Sequence, residues 1–161
     1  MSPATKDYRY RESGLTHVIL EGLRVYQCPK CRTEAPEIPN LLGLHRVIAK
    51  ALLTKPAILT GPEVRFLRLH MGLKAAEFAD QLGTTPVTVS RWETGAIAID
   101  LKTDRLIRLL CVRKLEEETN RLLLPGLYDV VTGVRASARR SVPIRIPRRQ
   151  LQRPGKVFAS V

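Results

Sequence analysis

Polar and apolar residues alternate at the start of the chain and then recur at helical spacing through its middle. Tyr8-Arg9-Tyr10-Arg11 alternates at period two. Thr16-His17-Val18-Ile19-Leu20 and Leu23-Arg24-Val25-Tyr26-Gln27 follow, each after a glycine, Gly14 and Gly22. That pattern predicts a small antiparallel β meander, closed by Cys28-Pro29-Lys30-Cys31. Pro36-Glu37-Ile38-Pro39-Asn40 reads as a rigid connector, because two prolines exclude regular structure there. From Leu41 the period changes. Leu41, Leu44, Val47, Ile48, Ala51 and Leu52 share one helix face, with Asn40 as its cap and Lys55-Pro56 as its end.

Thr60-Gly61-Pro62-Glu63 is a capping box that opens a helix running to Gly72. Ala75 to Leu82 is a second short helix, stopped by Gly83. Thr85-Pro86 is the cap-then-proline start of a third. A fourth begins near Thr103 and places Leu106, Ile107, Leu110, Cys111 and Leu115 on one stripe. Arg135 to Val161 is rich in Arg and Pro without a sustained period and reads as a disordered basic tail. The predicted fold class is therefore α+β, in four parts: a β domain over 1–39, a linker helix over 40–58, an all-α bundle over 59–124 and a basic tail over 125–161.

Charge changes this picture at one end. The chain of 161 residues carries 27 Lys and Arg against 15 Asp and Glu, a net charge of +12. The segment 125–161 holds eight basic residues and one acidic residue, so 7 of the 12 excess charges lie there. The bundle, with ten basic and nine acidic residues, is nearly neutral. Such an excess suits an anionic partner. No apolar run approaches the ~18–20 residues of a membrane span, and the first residues lack the apolar core of a signal peptide, so the expected location is cytoplasmic. Three cysteines make no disulfide framework. His17, His45 and His70 fall in three separate elements, and no catalytic constellation or phosphate loop stands out; an enzyme is not expected.

Two short helices joined by a glycine turn form a helix-turn-helix signature, whose second helix enters the DNA major groove. Gly83 takes the turn, Thr85 caps the second helix, Val89 and Trp92 face inward, and Val87, Thr88 and Arg91 face outward. The stretch Glu63 to Gly95 resembles the Cro and lambda-repressor (XRE) type of this motif. Leu73, Lys74, Ala75, Phe78, Ala79, Leu82, Gly83, Thr84, Thr85, Thr88, Val89, Ser90, Trp92, Glu93 and Gly95 carry the likeness. The resemblance implies that Pro86, Val87, Thr88 and Arg91 face base edges, that Thr85 and Ser90 approach phosphates, and that Arg68 and Glu93 form a buried ion pair. Where that family opens its second helix with Ser or Thr and then Gln, this chain has Lys74 and Ala75. The phosphate contact of that Gln is lost or passes to Lys74.

The region Tyr8 to Asn40, with Cys28-Pro29-Lys30-Cys31 and the Pro36–Asn40 connector, resembles the zinc-binding domain of MqsA-like antitoxins, the YgiT-type zinc fingers. There a helix-turn-helix follows the zinc domain, so the likeness spans about residues 7–115. That family closes a tetrahedral site with two C-x-x-C pairs. Cys28 and Cys31 match the second pair, and the first is absent. The favoured expectation is a degenerate zinc ribbon whose cysteines pack or idle. No cofactor is expected, with zinc admitted only if two chains pool their cysteines. Cys111, on an apolar stripe, is expected in the core.

These readings converge on a sequence-specific regulator of double-stranded DNA, expected as a homodimer on a palindromic operator. The resemblance implies an antitoxin that represses its own operon and a toxin protein as its partner. The alternative is a non-catalytic protein-interaction module whose basic tail binds nucleic acid without sequence preference.

Overall fold

A computed structural model describes residues 3–119, 132–135 and 140–152. The chain is α+β, with strands first and a helix-turn-helix bundle after them. It divides into two compact units, Met1–Ile48 with Pro143–Val161, and Ala49–Val142.

The first unit is built on one long strand. β2 (Val18–Gln27) pairs antiparallel with β1 (Ala4–Arg9) on one side. On its other side it pairs antiparallel with β3 (Glu34–Pro36) near its end and parallel with β4 (Ile144–Pro147) near its start. The two strands expected on either side of Gly22 are thus one strand. Gly22 does not break it but makes a bulge: Asp7 stands opposite Glu21-Gly22, between the pairs Lys6–Leu23 and Tyr8–Leu20. Its φ of 63° is open to glycine, and its N–H donates to Asp7 Oδ1 at 3.2 Å. The extra residue resets the alternation, so Val18 and Leu20 before the bulge and Leu23 and Val25 after it are all buried. The C-x-x-C, expected to close the sheet, instead forms the turn between β2 and β3.

The segment read as an unstructured tail is structured where it is described. Ile144-Arg145-Ile146 alternates at period two, burying both isoleucines. Arg145 remains exposed and donates to Glu21 Oε1 at 2.7 Å. A helical turn follows, numbered α6 below (Arg148–Leu151), and buries Leu151. Residues 120–131, 136–139 and 153–161, which the tail expectation also covered in part, lie outside the described residues. Helix α1 (Leu41–Leu53) carries the chain from one unit into the next. Asn40 caps it, Oδ1 accepting from Gly43 N at 2.8 Å.

The second unit contains α2 (Gly61–His70), α3 (Ala75–Gln81), α4 (Pro86–Glu93) and α5 (Leu101–Thr119). Its apolar core includes Leu52, Ile58, Val64, Leu67, Phe78, Val89, Ile107, Cys111 and Leu115. The expected capping box closes through Glu63, whose Oε2 accepts from Thr60 N at 2.7 Å. The same oxygen accepts from the buried Lys55 ammonium at 2.5 Å. The buried stripe of α5 differs from the expected one. It is Asp104, Ile107, Arg108, Cys111, Val112 and Leu115, while Leu106 is exposed. Leu106 is displaced because the helix turns two charged residues inward.

Those two residues organise the unit. Arg108 is fully buried and bonds Asp104 Oδ2 through Nε at 2.8 Å. Its remaining donors reach the carbonyls of Leu52, Leu53, Lys55 and Ala57 at 2.6–3.0 Å. The last carbonyls of a helix lack partners within it, and one guanidinium with five donors reaches the last two of α1, Leu52 and Leu53, and two that follow it, Lys55 and Ala57. Asp104 Oδ1 accepts from Leu59 N at 2.7 Å.

Candidate nucleic-acid interface

The candidate surface lies on α3, α4 and the turn between them. Lys74 stands at the start of α3, exposed, its N–H donating to Glu77 Oε2 at 2.7 Å. Gly83 ends the turn with φ 63°. Thr84 N then donates to Ala79 O at 2.9 Å, folding the chain back on α3.

Thr85 starts the second helix. Its Oγ1 accepts from Thr88 N at 3.2 Å and lies 2.9 Å from Thr88 Oγ1. The two hydroxyls that were expected to face DNA separately are thus joined to each other, which fixes the first turn. Pro86 follows at the position where a missing N–H costs nothing. Val89 is fully buried and Trp92 half-buried. Opposite them Pro86, Val87, Ser90 and Arg91 are exposed, and Val87 retains 61% of its surface. A large apolar side chain left open beside an exposed arginine is the composition that base edges and a thymine methyl accommodate.

The far end of α4 is held by α2 in two ways. Arg68 Nε donates to Glu93 Oε1 at 2.5 Å, and its Nη2 donates to Oε2 at 3.1 Å. Both side chains are about nine-tenths buried, at 11% and 9% exposure. Arg68 Nη1 also donates to Leu73 O at 2.8 Å, so one guanidinium ties α2, the α2–α3 link and α4 together. The backbones also meet closely. A Cβ at Gly61 would fall 2.7 Å from Glu93 O, so only glycine fits at the start of α2. Sequence reasoning missed this role of Gly61, which it read only as part of a capping box.

Residues 64–112 match the family model described as Helix-turn-helix. The match covers α2 to most of α5, well under half of the chain. It makes this region a helix-turn-helix domain, of the kind found in DNA-binding regulators that are typically without enzymatic activity. No curated protein and no solved structure gives a significant match. No helix among the described residues is long and apolar enough to cross a membrane.

The cysteines fall in two settings. Cys111 is buried in the core of the helical unit, where loss of solvent pushes its thiol up to about 12. Cys28 is half-buried and Cys31 exposed at the tip of the β2–β3 hairpin. Cys31 Sγ and Thr33 Oγ1 lie 3.1 Å apart, within hydrogen-bonding distance. Hydrogen bonds from the Thr33 side chain and backbone, and then from Cys28, bring the Cys31 thiol down to about 7. Among the described residues no group of three or more His, Cys, Asp or Glu could hold a metal. Two thiolates do not close a tetrahedral structural site, so the intramolecular zinc site implied by the resemblance does not fit this chain's own residues.

Proposed function

We propose that this chain is a sequence-specific transcription regulator of the cytoplasm that binds double-stranded DNA as a homodimer on a palindromic operator. One observation carries the reading: α4 leaves Pro86, Val87, Ser90 and Arg91 exposed while both its ends are fixed by Thr85 and Glu93. A helix meant only for the core has no need of so firm a mount for an outer face. In this reading Arg91 hydrogen-bonds a guanine and Val87 meets a thymine methyl. Lys74, Thr85 and Ser90 contact phosphates and set the register. Selection of bound fragments from random DNA tests it. A palindromic consensus is expected, and a flat selection overturns specificity in favour of the interaction-module alternative.

The finer reading is the antitoxin of a type II toxin–antitoxin pair that represses its own operon. It rests on the likeness of the β unit and its C-x-x-C to MqsA-like proteins. A small toxin-like reading frame beside this gene, with a product that co-purifies with the β unit, is the expected finding. A neighbourhood without one leaves a free-standing regulator.

A further inference from the structure

The first turn of α4 carries two hydroxyls that share one hydrogen between them. Thr85 Oγ1 accepts from Thr88 N at 3.2 Å and stands 2.9 Å from Thr88 Oγ1. Thr85 is exposed and Thr88 half-buried, and the contact between their hydroxyls is open to solvent. Each hydroxyl has one hydrogen to give and two lone pairs with which to receive. One lone pair of Thr85 already holds the Thr88 N–H. Either oxygen can be the donor across the 2.9 Å contact. The pair therefore has two settings, and whatever Thr85 binds decides between them.

We propose that Thr88 reads an amino group in the major groove, adenine N6 or cytosine N4, and that Thr85 on its phosphate holds the Thr88 hydroxyl as an acceptor. The inference rests on the DNA-binding function proposed for this helix and adds a base contact to it. A phosphate oxygen only accepts, so Thr85 on a phosphate gives it its single hydrogen. Two oxygens 2.9 Å apart with no hydrogen between them repel. Thr88 therefore gives its own hydrogen to the second lone pair of Thr85, and its Oγ1 is left with lone pairs alone. Those suit an amino group, whereas guanine O6 and N7 and thymine O4 are acceptors and leave Thr88 unpaired. The rest of α4 makes this contact needed. Pro86 and Val87 have no hydrogen-bonding side chain, Arg91 only donates, and the Glu93 carboxylate is held by Arg68. With Ser90 on a phosphate, Thr88 is the side chain on this helix that can accept from a base.

The test is selection of bound duplexes from random DNA by the full chain, with Thr85→Val, Thr85→Ser and Thr88→Val beside the wild type. Valine keeps the shape and removes the hydroxyl, and Thr88→Val leaves the Thr88 N–H on Thr85, so the cap survives in that variant. The wild type should favour adenine or cytosine over guanine or thymine at one position of each half-site by roughly tenfold, the cost of a buried acceptor left unpaired. Thr88→Val should flatten that position and keep the rest of the consensus. Thr85→Val should weaken every site and, by freeing the Thr88 hydrogen, admit guanine and thymine at the same position. Thr85→Ser should keep the wild-type preference. The proposal is overturned if Thr88→Val alters no position, or if the position it alters is guanine or thymine in the wild-type consensus. It is also overturned if Thr85→Val weakens binding without widening that position, as loss of a cap and a phosphate contact alone would do. Any of these with a wild-type consensus in hand removes this proposal alone, whereas a flat wild-type selection removes the DNA-binding reading together with it.

Discussion

Arg68 grips Glu93 through two parallel N–H···O bonds, and so joins α2 to the last residue of α4. The pair is mostly shielded from water, so removing one partner strands the other. Glu93→Ala is expected to destabilise the helical unit by ~3–5 kcal/mol. Chemical denaturation checks this, and an unchanged midpoint would place the pair in contact with solvent.

Arg108 makes a stricter demand. Its fork reaches four carbonyls and one carboxylate at once, which a three-donor ammonium cannot reproduce. Arg108→Lys keeps the charge yet should cost about 3 kcal/mol or more, because buried carbonyls lose their donors. Equal stability of the two proteins in denaturant would show that water replaces the guanidinium.

Arg91 and Ser90 are adjacent but should behave differently. Arg91→Ala is expected to relax the preferred sequence at one position in each half-site, with a discrimination loss of ~1–3 kcal/mol. Ser90→Ala should weaken all sequences about equally. Paired selections on the two variants decide the matter. An intact consensus from Arg91→Ala would mean that α4 meets DNA by another face.

The first unit should lose stability in mild acid. Burial lowers the pKa of His45 below its ordinary 6.5, and its Nε2 lies 2.9 Å from Tyr10 Oη. The folded unit thus favours neutral His45. Its contribution is full above the unfolded pKa and is lost as pH falls through the lower folded one. Melting curves between pH 7 and 5 should slope downward, and His45→Gln should flatten part of that slope. An identical slope in the variant would assign it to other groups.

The helix-turn-helix was legible because its signals are local: Gly83, Thr85-Pro86, and the spacing of Phe78, Ala79, Val89 and Trp92. The buried charges were not. Asp104 and Arg108 carried no signal, since nothing near them in sequence shows the carbonyls of Leu52, Leu53, Lys55 and Ala57 that take up the guanidinium. Gly22 looked like a turn because a bulge and a turn both call for positive φ. The strand at Ile144–Pro147 was hidden by its arginines and prolines, and its partner is remote in the chain. On α4 the sequence indicated that Val87 and Arg91 are open and Val89 buried, whereas Thr88, expected to face outward with them, is half-buried. The close approach that requires Gly61 is visible only when α2 and α4 are brought together.

The parallel pairing of β2 with β4 sets an order of assembly. Arg145 and Glu21, which meet across it, are 124 residues apart in the chain. During synthesis β1, β2 and β3 leave the ribosome first, but the β2 edge at Val18–Glu21 waits uncovered until the segment from Ile144 emerges. By then all of α2 to α5 has been made, so the helical body can fold while the sheet is still incomplete. The unit begun first is the one finished last. An unpaired strand edge is a template for adhesion between chains, so nascent chains stalled before Ile144 are the form of this protein most exposed to aggregation.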